Sequence, residues 1–262
     1  MTPIRLAVLL CDTPAPSVLK EDGDYHKIFD TWLRAVSPSV DFTLEAFDVV
    51  NKMEYPPECA KYDGILLTGS AASAYEDVEW INKLVEYTSN LARSKPDVKL
   101  FGICFGHQVI GRALGGSCVR NSQWEVGITE MQLTEIGQRI FGAKSLVRNV
   151  QEMHRDHVPS VIPGFELLGS TDVCHNQGMV RYIPDASGKL AKLSDIQILT
   201  VQGHPEFTKS IVSKVVGIRA DKGIFTPELA QDAIKRNELR NDGVEVIART
   251  VWKVLGAIRA EN

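Results

Sequence analysis

The feature that most constrains the fold of this chain is a sharp corner at Gly102-Ile103-Cys104-Phe105-Gly106. An apolar run, residues 98–103, leads into the corner, and a helical pattern over 105–114 begins directly after it. A cysteine flanked by glycines two residues away on either side matches the strand-to-helix turn of a nucleophile elbow. That turn strains the central residue, and only glycine at the flanking positions avoids collisions with nearby atoms. The pattern therefore predicts that Cys104 projects above the end of a buried strand.

Short apolar runs alternate with helical patterns through the first part of the chain. This rhythm is typical of βαβ units, which build a mostly parallel, twisted sheet with helices on both faces. The sequence thus predicts an open α/β fold. The further predicted strands in this part are 4–11, 41–50 and 63–70, and the further helices are 24–36 and 76–94.

After Gly115 the strand candidates become shorter and more polar, which predicts a small antiparallel extension of the sheet. A helix over 207–223 follows, and Thr226-Pro227-Glu228 is a strong start signal for the next helix. We expect a catalytic domain over 1–222 and a helical extension, 223–262, packed on it and broken near residues 241–243. The strand candidates of the extension are 128–134, 145–154, 179–183 and 196–202.

Composition excludes several classes of protein. The formal net charge of -4 over 262 residues gives no basic field for nucleic acid. Five cysteines without a CxxC pair argue against a disulfide framework or a zinc ribbon and favour a reducing compartment. The apolar start of the chain is too short for a signal peptide, and no run approaches a membrane span. We therefore expect a cytoplasmic protein without membrane or nucleic-acid partners.

A second motif supplies the groups that a cysteine nucleophile needs. The helix that follows Cys104 points its N-terminus at the sulfur and favours a thiolate, and the Phe105 N–H can bind an oxyanion. His204 and Glu206, in Gln-Gly-His-Pro-Glu-Phe, follow an apolar strand, so the carboxylate can orient the imidazole. A buried structural cysteine and a simple His-Pro-Glu turn are the alternatives. Together, the three residues favour a catalytic triad.

The motifs GICFGHQ and QGHPEF resemble those of the class I, triad-type glutamine amidotransferases, and the resemblance extends from the first strand to about residue 222. It implies an open α/β sheet with extra antiparallel strands. It also implies that Cys104 is the nucleophile, that His204 and Glu206 complete the triad, and that Gln108 helps to hold the glutamyl group of the substrate.

Two loops depart from the usual pattern of that family. The oxyanion loop, usually Ser-Gly-Gly-Pro, matches Thr68-Gly69-Ser70-Ala71 here, so the implied backbone donors are Gly69, Ser70 and Phe105. The glutamyl-contacting loop, often Ser-His-Gly-Asp, matches residues 153–157, with arginine in place of a small residue. The substrate-binding residues that the resemblance implies, besides Gln108, are His154, Arg155 and Asp156.

Several other polar residues allow two interpretations each. Arg155 can clamp a substrate carboxylate or form a surface salt bridge. Trp124 and Glu125 can line the pocket or pack in the core. Tyr25 and Asp22 can touch substrate, or their loop is solvated with Asp24 as a helix cap. The spacing of His154, His157 and His175 does not suit a metal site in a strand or loop, so we expect no metal and no cofactor.

The chain contains neither a GxxxxGK phosphate loop nor an ATP-site motif, so no synthetase domain is expected within it. GSxxxAYEDxxWI (69–81) and STDVCHNQ add a resemblance to stand-alone γ-glutamyl peptidases. The resulting hypothesis is a hydrolase that cleaves a γ-glutamyl bond in a peptide or in glutamine through a γ-glutamyl thioester, with water as acceptor. The alternatives are a glutaminase subunit that supplies ammonia to a partner synthetase, and a non-catalytic regulatory module. The leaving group and the oligomeric state stay open.

Overall fold

The structure, a computed structural model, describes residues 3–142, 147–184 and 191–258. Within them the strands are β1 (Ile4–Leu10), β2 (Phe42–Asp48), β3 (Gly64–Leu67), β4 (Lys99–Ile103), β5 (Val119–Leu133), β6 (Val147–His157), β7 (Glu166–Ser170), β8 (Gly178–Tyr182) and β9 (Ile196–Val201). The α-helices are α1 (Pro16–Glu21), α2 (Tyr25–Val36), α3 (Glu79–Ser94), α4 (Phe105–Ala113), α5 (Glu135–Phe141), α6 (Lys209–Asp221), α7 (Pro227–Arg236) and α8 (Gly243–Val254).

All of the described strands belong to one sheet, in the order β2-β1-β3-β4-β9-β8-β7-β5-β6. From β2 to β9 every pair is parallel, and we call these strands the parallel half. From β9 onward every pair is antiparallel, and β8, β7, β5 and β6 form the antiparallel half. The predicted α/β fold with an antiparallel extension is confirmed, and that extension comprises four strands.

Two hydrophobic layers cover the two faces of the sheet. Leu6 and Val8 of β1 point into a layer with residues of α2 and α8, and Ala7 and Leu9 point into a layer with residues of α3 and α4. Alternate strand residues face opposite sides, so burial of all four requires helices on both faces. This explains why β1 reads as a continuous apolar run.

Among the described α-helices and strands, α1, α5 and β7 were not predicted from the sequence. Their patterns are too short to show a period, and β7 depends on pairing with β5 and β8, which are distant in sequence. The predicted helix over 76–94 begins only at Glu79, and the predicted strand 128–134 is the end of β5, which begins at Val119. Residues 145 and 146 of the predicted strand 145–154 lie outside the described residues.

The C-terminal helices follow their predicted boundaries. The Thr226 hydroxyl accepts a hydrogen bond from the Leu229 N–H, and Pro227 is the first helical residue of α7. The predicted break separates α7 from α8, and Trp252 of α8 is buried in the core against Phe42. The division of the chain at residue 222 stays a prediction. Among the described helices, none has the length and apolar character to cross a membrane.

Candidate active site

The corner between β4 and α4 has the geometry that the sequence predicts. Cys104 has φ +50° and ψ −103°, a region that residues other than glycine rarely adopt. A Cβ atom at Gly102 would lie 2.7 Å from the carbonyl oxygen of Gly106, and one at Gly106 would lie 2.4 Å from that of Leu67. Both glycines are thus required by close backbone approach, and Cys104 is the residue at the turn that adopts the strained conformation.

His204 and Glu206 lie beside this corner, because β9 is the neighbour of β4 in the sheet. The Cys104 N–H donates to the carbonyl oxygen of Val201, the last residue of β9, at 2.9 Å. The His204 Nδ1 lies 2.8 Å from the Glu206 Oε1, and Phe207 stacks on the imidazole at 4.0 Å between ring centroids. The structure therefore brings Cys104, His204 and Glu206 together at the carboxyl edge of the parallel half.

The charges of the site favour a protonated His204. Burial alone lowers the pKa of His204, but the negative charges and hydrogen bonds of Cys104 and Glu206 outweigh burial and raise that pKa to about 10. Because Nδ1 is bonded to Glu206, Nε2 is the nitrogen left to face the thiol. A protonated His204 beside the Cys104 side chain is the state that fits this arrangement.

The oxyanion loop that follows β3 is held in place by residues that follow β1. The Thr68 hydroxyl accepts from the Cys11 N–H at 2.9 Å, and the Ala71 N–H donates to the Asp12 Oδ2 at 2.7 Å. Asp12 was not recognised in the sequence, although its position just beyond a parallel strand places it at the ligand-binding edge of the sheet. Asp12 is therefore a candidate positioning residue.

The predicted oxyanion donors lie around Cys104. Ser70 lines the same cavity as Cys104, and Gly69 lies against His204, where a Cβ atom would be 2.7 Å from the ring Cε1. Among the hydrogen bonds of the described residues, none is donated by the backbone N–H of Ser70 or of Phe105. Both groups are therefore free to bind an oxyanion.

Two buried glutamines connect the nucleophile to the antiparallel half. The Gln108 Nε2 donates to the Asp156 carbonyl at 2.8 Å and to the Gln202 Oε1 at 3.2 Å. The Gln202 Nε2 in turn lies 3.5 Å from the Cys104 Sγ. Gln202 was not singled out in the sequence, although it opens the QGHPEF motif. Its amide orients Gln108 and contacts the sulfur.

The predicted substrate residue His154 lies within a buried ion cluster, which consists of His154, Glu125 and Glu152. The His154 Nε2 lies 3.0 Å from the Glu125 Oε2 and 3.3 Å from the Glu152 Oε2, and Nδ1 is 3.1 Å from the Asp156 carbonyl. Burial lowers the pKa of His154, but hydrogen bonds to the two carboxylates raise it to about 10. Both ring nitrogens are already bonded, so a direct contact with substrate would require one of these bonds to break.

The segment 153–157, matched to a loop in the sequence, is the end of β6, because it pairs with β5. Arg155 and Asp156 of this segment line the cavity, but their side chains are also bonded within the protein. Arg155 donates from Nε to the Asn121 carbonyl at 2.9 Å and from Nη2 to the Ser122 carbonyl at 3.2 Å. It forms no salt bridge among the described residues. The Asp156 Oδ2 accepts from the Ser73 hydroxyl at 2.5 Å, which connects the end of β6 to the loop after β3.

One group of buried side chains has donor atoms close enough to hold a metal ion. Atoms of Glu125, His154 and Cys174 lie within 4.8 Å of one another. Metal binding needs a neutral imidazole and a thiolate. The pKa of His154 is raised by its carboxylate partners and that of Cys174 is raised by burial, so both stay protonated at neutral pH. This protonation opposes a metal, and the sequence expectation of no metal stays a prediction.

A cavity of about 670 Å³ opens above Cys104 and has His204 in its wall. Trp124 and Tyr25 line it, while Glu125 is buried in the ion cluster and Asp22 pairs with Lys214. Asp24, in the loop before α2, is the helix cap that one of the two interpretations predicts, since its side chain accepts a hydrogen bond from the Lys27 N–H at 2.8 Å. The predicted site residues that line the cavity are Ser70, Cys104, Gln108, His154, Arg155, Asp156 and His204.

This open α/β fold, with a cysteine at a strand-to-helix turn, is that of the class I glutamine amidotransferases. The family model for "Glutamine amidotransferase class-I" matches residues 24–215. A glutamine amidotransferase-like protein of Schizosaccharomyces pombe is 36% identical over 259 residues, covering 96% of this chain and 98% of the relative. The chain therefore belongs to the class I glutamine amidotransferase family.

Two further comparisons concern a more distant relative in sequence and a solved structure. Gamma-glutamyl peptidase 3 of Arabidopsis thaliana is 27% identical over 237 residues and covers 87% of each chain. The crystal structure of a glutamine amidotransferase from Thermotoga maritima superposes with a TM-score of 0.69 at 16% identity, covering 97% of this chain and 99% of that one. At this identity the structural likeness supports the fold alone.

Proposed function

We propose that this protein is a cysteine hydrolase that cleaves γ-glutamyl bonds through a γ-glutamyl thioester. The observation that carries this proposal is the placement of Cys104 in a strained elbow beside the His204–Glu206 pair, at the floor of a cavity. A nucleophile, a base and an orienting carboxylate in this order are the minimum machinery for acyl transfer. The catalytic roles assigned below are part of the proposal.

In the first half of the reaction, the Cys104 thiolate attacks the γ-carbonyl carbon and a carbon–sulfur bond forms. The negative charge that develops on the carbonyl oxygen is stabilised by the N–H groups of Phe105 and Ser70. When the tetrahedral intermediate collapses, the His204 imidazolium donates its proton to the departing amine. The amine leaves and the γ-glutamyl group stays on the sulfur as a thioester.

In the second half, neutral His204 takes a proton from water, and the water oxygen attacks the thioester carbonyl. Collapse of this intermediate breaks the carbon–sulfur bond and releases glutamate. The proton on His204 and the released thiolate restore the starting ion pair. Glu206 holds the ring through Nδ1 in both halves and stabilises its charged form.

The preference for a γ-glutamyl peptide over glutamine rests on two observations. The γ-glutamyl peptidase of Arabidopsis thaliana matches most of the chain. The cavity of about 670 Å³ also lies within the range that accommodates drug-sized ligands, so it has room for a leaving group larger than ammonia. In this proposal, Gln108 and the segment 153–157 hold the glutamyl part of the substrate.

The test is glutamate release by the purified protein from glutamine, glutathione and a glutathione conjugate. We expect release from the γ-glutamyl peptides and a loss of about 10⁴-fold or more in Cys104→Ala, because triad members act as a unit. Cys59→Ala, which removes a cysteine distant from the cavity lining, is the matched control and should behave as the parent.

Three results would reject the proposal. Turnover near the parent level in Cys104→Ala would exclude the thioester mechanism. Release from glutamine alone would favour an ammonia-supplying subunit and would call for a search for a synthetase partner. No release from any substrate, together with a Cys104 that resists thiol reagents, would favour a regulatory module.

A further inference from the structure

Arg219, near the end of α6, is a cationic side chain in the cavity wall that lacks a hydrogen-bonding partner. The partly buried arginines Arg112, Arg155, Arg181 and Arg236 all donate hydrogen bonds to protein oxygens. Among the described parts of the chain, the Arg219 guanidinium has neither a hydrogen bond nor a salt bridge. Yet it lines the same cavity as Cys104 and His204.

Two aromatic rings hold the Arg219 guanidinium in place. Its central carbon lies 5.4 Å from the centroid of the Trp124 ring and 5.6 Å from that of the Phe225 ring. The two rings pack edge to face, with centroids 5.0 Å apart. Aromatic contacts of this kind engage a guanidinium through its charge and leave its N–H groups available. The side chain is therefore preorganised for a planar anion.

The surroundings of Arg219 are short of available negative charge. Burial lowers the pKa of Arg219, and the negative charges of Cys104 and Asp12 act in the opposite direction. Of these groups, Asp12 already accepts two backbone N–H groups, from Thr13 and Ala71. A partly desolvated cation that forms no salt bridge within the described part of the chain is costly, and a bound anionic ligand would reduce that cost.

The proposed function assigns Gln108 and the segment 153–157 to the glutamyl part of the substrate, so we assign Arg219, which lies on α6, to the leaving-group side. The proposed acid, His204, must face the departing amine in order to protonate it. Phe207, which stacks on the imidazole, belongs to the same hydrophobic cluster as Trp124 and Phe225, the two rings that contact Arg219. Gln108 and Asp156, which are bonded to each other, belong to the glutamyl side.

We infer that Arg219 binds a carboxylate of the leaving group, so that the preferred substrates are γ-glutamyl amino acids or peptides with a free carboxylate on the amine side. This inference rests on the proposed function and names the substrate class of that site. A guanidinium pairs with a carboxylate through two parallel N–H donors, which also fixes the direction of the leaving group. Arg219 is thus a specificity-determining residue.

The experiment compares γ-glutamylglycine with γ-glutamylglycinamide, which differ only in the leaving-group carboxylate. We expect the parent to prefer γ-glutamylglycine. Arg219→Gln should lower kcat/KM for that substrate by about 10- to 100-fold, mainly through KM, because a charge-assisted hydrogen bond is lost. The loss on γ-glutamylglycinamide should be much smaller. Arg219→Lys should recover part of the preference, and Arg249→Gln, at a paired surface arginine of α8, is the control.

Equal losses on both substrates in Arg219→Gln would overturn the inference, because they would indicate a packing role or a contact with the carboxylate of the glutamyl part. An unchanged preference would overturn it as well. Measuring the binding of γ-glutamylglycine and γ-glutamylglycinamide to the Cys104→Ala protein distinguishes failure of this inference from failure of the proposed function. If the parent cleaves neither compound, an Arg219-dependent preference for γ-glutamylglycine in binding would support the carboxylate site and reject only the hydrolase. Absence of that preference would reject both.

Discussion

The two halves of the sheet organise the candidate site in different ways. In the parallel half, Cys104 and the His204–Glu206 pair are placed by tight turns directly after adjacent strands. In the antiparallel half, His154 is placed by carboxylates from β5 and β6 and by the backbone of its own strand. Local backbone geometry decides the position in the first case, and a buried network of charges decides it in the second.

The proposed catalytic groups therefore lie in the parallel half, and the buried charges that support the site lie in the antiparallel half. The proposed nucleophile and base are rigid because their backbones have few alternatives. The ion cluster behind the glutamyl side is rigid only while its carboxylates and imidazolium remain paired, since an unpaired buried charge is expensive. Substitutions in the parallel half should therefore change rates, and substitutions in the ion cluster should first change stability.

The largest expected effect is in the parallel half. His204→Ala should lower kcat/KM for a γ-glutamyl peptide by about 10⁴-fold, because both proton transfers of the proposed mechanism pass through this ring. Glu206→Ala should cost less, since water can partly replace an orienting carboxylate. Steady-state glutamate release measures both. Near-parent activity in His204→Ala would contradict the assignment of the base.

The second effect belongs to the antiparallel half. Glu125→Gln should lower the free energy of unfolding by about 3–5 kcal/mol, because it removes one partner from a buried ion pair. Urea denaturation followed by tryptophan fluorescence measures the change. Glu130→Gln, at an exposed position of β5, is the matched control and should stay within about 0.5 kcal/mol of the parent. Equal stabilities for the two variants would remove the basis for the contrast between the halves.

The same cluster predicts how stability depends on pH. The pKa of His154 is raised from 6.5 to about 10 in the folded state, so the imidazolium is favoured by folding. Its contribution should be fully present below pH 6.5 and should be lost as the pH rises towards 10. Urea midpoints across this range should fall more steeply for the parent than for Glu125→Gln. If the urea midpoints of the parent and of Glu125→Gln change with pH by the same amount, the result would contradict a charged His154.

A smaller effect should come from Asp12, which supports the oxyanion loop at a distance from the reacting atoms. Asp12→Ala should lower kcat by about 10-fold with little change in KM, because the loop loses its bond at Ala71. Asp12→Asn retains an acceptor and should recover part of the rate. If KM rises instead while kcat stays constant, Asp12 contacts the substrate rather than positioning the loop.

The smallest expected effect is a shift in the pH dependence of kcat/KM. The pKa of His204 is raised to about 10, so the alkaline limb of kcat/KM should lie well above the ordinary histidine value of 6.5. Glu206→Gln removes one of the charges that raise this pKa and should move the limb to lower pH. A limb near 6.5 in the parent would mean that no thiolate–imidazolium pair persists at neutral pH.

The family, the fold class and the grouping of Cys104 with His204 and Glu206 could be read from the sequence. These features depend on short-range patterns: glycine spacing around a turn, two polar residues separated by one proline, and apolar runs that alternate with helices. Boundaries near capping signals, such as the start of α7 after Thr226, were also predictable for the same reason. Each of these patterns limits the backbone conformations of the few residues that form it.

Only the tertiary structure decided which distant residues support the site. Asp12 and Ala71 are 59 positions apart, His154 and Glu125 are 29 apart, and nothing local to either member indicates the pairing. Arg219 likewise meets Trp124 only because α6 packs near β5 at the wall of the cavity. The sequence by itself determined the tight turns and the strands of the parallel half, because backbone sterics and apolar patterns act within a few residues. The folded chain decided which charges are buried together, because desolvation and pairing depend on all the elements that pack around them.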